Sequence, residues 1–180
     1  MKFLTEIIIN MRTVFFCLTF CFSVNCFSYS ISNKGKEFIK NQEKCSLVAY
    51  WDSDGYSIGW GHHGKDVKKG MKISKHQANK YFNNDIKKFE SVANRIIKSL
   101  PYNYKFSQGF FDGLCSFVYN TGEGGVYKSE FYKRLKNCRV KNGVMNKNDY
   151  NFTIAGVKTS RVYCKGHITR RYDEHKLMLN

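Results

Sequence analysis

The chain has 180 residues, 30 Lys and Arg against 14 Asp and Glu, and a formal net charge of +16. That length holds one domain with a sizeable core rather than several. The charge points to polyanionic partners: nucleic acid, anionic lipid or bacterial walls. No helix-turn-helix, zinc-finger or RNA-binding signature accompanies it, so no nucleic-acid partner is expected.

Thr13 to Val24, TVFFCLTFCFSV, is an apolar run behind Lys2 and Arg12. It falls short of the ~20 residues of a membrane span and fits a signal-peptide core. Residues 1–29 read as a signal peptide, with Met11 as an alternative start and cleavage between Asn25 and Ser32. The expected location is therefore secreted, with an uncleaved signal anchor as the alternative. Residues 30–180 form the single remaining domain, which keeps +15 once Lys2, Arg12 and Glu6 are set aside. It holds Cys45, Cys115, Cys138 and Cys164. Behind an export signal at least one disulfide is expected among them, with buried free thiols as the alternative.

A first helix opens at Ser32 or Asn33, either a good N-cap. Phe38, Ile39, Gln42, Glu43 and Leu47 then recur at helical spacing, which places Glu43 near a helix end. Asp54-Gly55 follows, flanked by Tyr50, Trp51, Tyr56 and Ile58, a hairpin signal. A helix end facing a hairpin makes a cleft wall. Glu43 and Asp52, nine positions apart, would face each other there, and different surroundings can make one an acid and the other a base. Gly64 to Gly70 reads as a basic loop. Ser74 and Gln77 look like a capping box with Ile73 as staple. Ala78, Tyr81, Phe82, Ile86, Phe89, Val92, Ala93, Ile96 and Leu100 form the apolar face of a long helix, stopped by Pro101. Phe106 to Tyr119 reads as a nearly all-round apolar core helix that Asn120-Thr121-Gly122 ends. Arg139 to Thr153 is Asn- and Lys-rich and reads as loop, with a glycosylation sequon at Asn151-Phe152-Thr153.

The order Glu43, Leu47, Ala49, Tyr50, Asp52, Ile58, Gly59, Gly61, His62 resembles the phage-type lysozymes, whose pattern is Glu-Gly-x-x-Leu-x-Ala-Tyr-x-Asp, a turn, then Thr-Ile-Gly-x-Gly-His. Gly113, Leu114, Ser116, Phe117, Asn120 and Gly122 resemble a second segment of that family. The run from Gly166 to Glu174 resembles its Gly-Leu-x-x-Arg-Arg-x-x-Glu. Two positions depart: Lys44 stands for the family's Gly and Ser57 for its Thr.

The resemblance implies a mostly helical α+β fold. A small β-hairpin lobe, a long connecting helix and a helical C-terminal lobe form a two-lobed, monomeric domain. It implies a lysozyme cutting the β-1,4 bond between N-acetylmuramic acid and N-acetylglucosamine in peptidoglycan. Glu43 is the implied general acid, Asp52 acts on water, and Ser57 helps hold that water. A cation close to Glu43 would favour its ionised form and weaken it as an acid, so Lys44 is the departure that bears most on activity, its effect small if it points outward from the helix. His62 is expected to pair with Asp85. Arg170 or Arg171 is expected to reach Glu43, leaving at least one of the two on a solvated face. No cofactor and no metal are implied, and the expected partners are peptidoglycan and an anionic wall or membrane surface. The rival reading is a catalytically weak cationic antimicrobial or wall-binding protein on the same fold.

Overall fold

The computed structural model describes residues 28–52, 54–160 and 165–180. The apolar run of the expected signal peptide and Cys164 lie outside them. Among the described residues no helix is long and apolar enough to cross a membrane.

Helix α1 (Asn33–Gln42) starts where Ser32 accepts a bond from the Gly35 N–H. Glu43 follows as its C-cap in an extended conformation. An antiparallel sheet comes next, β1 (Ser46–Asp52), β2 (Gly55–Gly59) and β3 (His62–His63), in that spatial order. The Asp52–Gly55 pair closes the hairpin, so Gly55 opens β2. On the other edge of β1, Ala49 N–H donates to Met71 and Ile73 N–H donates to Leu47. The basic loop thus returns along the sheet and leaves β3 as the free edge on the far side.

Helix α2 (Lys75–Lys98) is capped by Ser74, which accepts from Gln77 N–H. Its apolar face buries Ala78, Phe82, Ile86, Ala93 and Ile96, as the periodicity predicts. The helix touches β2 at one end and helix α3 (Gln108–Tyr127) further on, so it joins the two lobes. Helix α3 is the centre of the larger lobe. Phe110, Phe111, Leu114, Phe117 and Val118 are all fully buried, and such all-round burial is what an apolar helix without a polar stripe requires. Gly122 breaks α3 with φ 70° and ψ 165°, where the turn signal falls. The chain then resumes a helix to Tyr127, which the sequence reading ended early. Helix α4 (Glu130–Lys136) has Ser129 as N-cap and Asn137 as C-cap. Helix α6 (Lys165–Met178) packs along α3.

Three expectations fail. The stretch 139–153 is not loop: it holds β4 (Val140–Lys141), β5 (Val144–Met145) and helix α5 (Lys147–Ala155). Only Thr153 and Ile154 of α5 are buried, so no apolar period announces it. Its ends are set by polar groups instead: Asn146 accepts from Asp149 N–H, and Arg134 donates to Phe152 C=O. The sequon therefore lies on a helix, with Thr153 1% exposed and its hydroxyl on Asp149 C=O. Second, Cys45, Cys115 and Cys138 are free thiols. Cys115 is enclosed in the middle of α3, where it packs as a small apolar side chain. Third, neither Arg170 nor Arg171 is solvated; both are buried.

Both ends of the described domain lie on residues 106–109. Phe106 N–H donates to the Tyr29 hydroxyl oxygen, and Gln108 donates to Ser30 C=O. Gly109 has no side chain because Leu177 and Asn180 press on it: a Cβ there would sit 2.4 Å from Leu177 O. Asn94 exchanges two bonds with the Tyr29 backbone, and Tyr29 stacks on Phe111.

Candidate active site

Glu43 leaves α1 between the two lobes, its side chain 24% exposed. Arg170 of α6 donates to its Oε1 at 2.5 Å. The other oxygen, Oε2, lies against Gly61, whose missing Cβ would be 3.8 Å away. Gly61 has φ 87°, a turn that side-chain-bearing residues rarely adopt, so the Gly-x-Gly-His turn offers Glu43 bare backbone. Arg170 is itself shared. Its Nε donates to Glu174 at 3.1 Å, and its Nη2 meets Ser116. Arg171 donates to Glu174 and to Asn120, and its guanidinium stacks on Phe117. Glu174 is wholly buried and also accepts from Ser116 O–H at 2.8 Å. Burial pushes its carboxyl up against the pull of Arg171, Arg170 and Ser116. Burial likewise pushes the Arg171 guanidinium down to about 10.

The hairpin carries the other candidates. Asp52, exposed, ends β1. Ser57 sits in the middle strand and has no exposed surface. Tyr50 is its cross-strand partner, 39% exposed. Burial, Asp52 and Glu43, in that order, raise the Tyr50 phenol, whose hydroxyl is in hydrogen-bond contact with Ser57. The phenol thus lies in the field of both carboxylates and stays protonated. On the other side of Ser57, its Oγ is 3.1 Å from His63 Nδ1.

His62 is tied into the scaffold. Its Nδ1 meets Asp85 of α2 at 2.6 Å and its Nε2 meets Asp66 at 3.1 Å, while its ring stacks on Tyr81. The expected His62–Asp85 pair is present, with Lys88 2.9 Å from the same carboxylate. Lys44 is exposed, and Arg170 is a cation in contact with Glu43. Among the described residues no cluster of His, Cys, Asp and Glu has the make-up of a metal site.

A helix-end Glu gripped by an Arg, opposite a hairpin bearing Asp and a buried hydroxyl, is the arrangement the motif implies. The Phage lysozyme family profile matches residues 40–174. The chain belongs to the phage lysozyme family. An endolysin of Bacillus phage B103 is 30% identical over 153 residues, 83% of this chain and 54% of its own length. An endolysin of Bacillus phage PZA is 33% identical over 113 residues, 61% of this chain and 42% of its own length. The chain thus spans about half the length of these relatives. A solved endolysin from Escherichia coli O157:H7 phage FAHEc1 superposes with TM-score 0.69 at 29% identity, covering 86% of this chain and 96% of that one.

Within this lysozyme-family frame the sequence reading picked out Glu43, Asp52 and Ser57; Glu43 stands at the helix end, Asp52 is exposed at the end of β1, and Ser57, read as holding water, has no exposed surface. That reading left three contributors out. Glu174 was quoted only as part of the Arg-Arg-x-x-Glu segment. Its spacing of three and four from Arg171 and Arg170 on a helix was the available signal. Tyr50 was read as a motif match and hairpin flank. His63 had no signal, because its neighbour Ser57 becomes visible only once strands β2 and β3 are in register.

Proposed function

We propose that this protein is an exported lysozyme that hydrolyses the β-1,4 bond between N-acetylmuramic acid and N-acetylglucosamine in peptidoglycan. The carrying observation is the Arg170–Glu43 contact across from the Asp52 hairpin. Arg170 occupies Oε1, so a proton on Glu43 resides on Oε2, the oxygen turned to Gly61 and the hairpin. Arg170 is shared between Glu43 and Glu174. Glu43 then gives its proton to the leaving oxygen while Asp52, at the exposed strand end, takes a proton from the attacking water. This water-based route inverts the anomeric centre. Export rests on the apolar run behind Lys2 and Arg12, and the substrate on the family and on what the endolysin relatives are named.

The test is clearing of purified peptidoglycan by wild type and Glu43→Gln, with the released ends analysed. Wild type is expected to clear and to leave hydrolysed reducing ends. The variant is expected to lose about 10²–10⁴-fold in rate, the contribution of a positioned acid. The net charge of +16 supports a second reading, a cationic wall-binding or membrane-active protein. That reading requires both forms to kill intact bacteria equally and neither to cut walls.

A further inference from the structure

We infer that His63 is a positioning residue of this site: from the edge strand it directs the Ser57 proton and, through Ser57, the Tyr50 hydroxyl at the cleft. The inference rests on the hydrolase reading above.

Tyr50, Ser57 and His63 are successive register partners across β1, β2 and β3. Cross-strand partners stand on one face of a sheet, so the three side chains form a row. Ser57 is in the middle and sealed, with His63 Nδ1 3.1 Å from its hydroxyl. The imidazole lies against Gly55, where a Cβ would be 2.7 Å from Cε1. Any larger residue at Gly55 would push the ring off Ser57. His63 Nε2 faces Asp54 Oδ1 at 3.5 Å.

The proton directions follow from what each group can do. An ionised carboxylate only accepts, so of the two neutral tautomers Asp54 selects the one with its proton on Nε2. Nδ1 then accepts from Ser57 O–H, and Ser57 accepts from Tyr50 O–H. The Tyr50 oxygen is left with lone pairs toward the cleft. A water there donates one hydrogen to Tyr50 and the other to Asp52, and its own lone pair points at the anomeric carbon. As the water oxygen bonds to that carbon, the glycosidic bond breaks, Glu43 protonates the leaving oxygen and Asp52 takes the water's proton.

The row also explains how Ser57 works without the family's Thr. Serine lacks the methyl that restricts threonine's rotamers. Here the neighbouring strand supplies the restraint. The hydroxyl that meets water is then Tyr50's, because Ser57 has no surface to offer.

The experiment measures kcat and KM separately on soluble peptidoglycan fragments for wild type, His63→Leu, His63→Asn, Tyr50→Phe and the Tyr50→Phe/His63→Leu pair, with melting curves as a fold control. His63→Leu is expected to lower kcat about tenfold, the worth of one hydrogen bond, with KM unchanged. His63→Asn, whose amide oxygen can accept where Nδ1 does, is expected to recover most of that loss. The double variant should be no slower than Tyr50→Phe alone, since both act through one chain of bonds. Imidazole ¹⁵N shifts of the folded wild type should place the His63 proton on Nε2, a readout that needs no turnover. Wild-type kcat in His63→Leu, no recovery in His63→Asn, or a proton on Nδ1 would each overturn the inference and leave the hydrolase reading standing. An inert but folded wild type would overturn both.

Discussion

Arg170 does two jobs with one guanidinium. One end orients Glu43 and the other is anchored to Glu174, with Arg171 completing the charge balance. Taking such charges out of water is costly, and only their mutual contacts make it tolerable. Glu174→Gln keeps the shape but leaves two buried guanidiniums facing a neutral amide. The expected loss is about 3–5 kcal/mol of folding stability, read from urea unfolding. Adding Arg171→Met should recover part of it, because Arg170 keeps Glu43 and the guanidinium left without a carboxylate is then gone. If Glu174→Gln were as stable as wild type, the cluster would not be a structural unit. The sequence shows Arg170, Arg171 and Glu174 as neighbours on a helix. It does not show that Glu43, 127 positions away, is their fourth member; here only the family resemblance supplied the link.

The elements were legible in proportion to how apolar they are. Helix α2 announces itself by a long apolar stripe, and α3 by Phe at almost every turn. Helix α5 has neither, being fixed by an Asn cap and by contacts with Arg134 and with α6, where Tyr150 O–H donates to Met178 C=O. Composition therefore misread it as loop. The break in α3 was legible because Gly122 follows Asn120-Thr121, a turn signature. Its consequence is measurable. With φ 70° and ψ 165°, Gly122 occupies a region closed to other residues, yet no atom lies within 4 Å of where a Cβ would stand. Gly122→Ala should therefore cost about 1–3 kcal/mol from backbone strain alone. Chemical unfolding should show a lower midpoint with an unchanged slope. A neutral result would mean that the chain can straighten there without loss.

At the scale of the molecule, the two lobes meet where Glu43, the hairpin and α6 converge, and α2 spans both. The overall architecture was readable in advance because the motif, the long helix and the core helix come in family order. What the sequence hid was contact between remote segments, above all at 106–109. Tyr29 and Ser30 dock there from one side, and Leu177 and Asn180 from the other. Between Tyr29 and Asn180 the described domain is thus a nearly closed ring, with those two segments sharing a seat. Its order of connection is accordingly a matter of convenience rather than of structure. A circular permutant that joins Asn180 to Ser28 through a short linker and opens at Asn142-Gly143, an exposed turn between β4 and β5, should fold to the same helical spectrum and melt in one cooperative step.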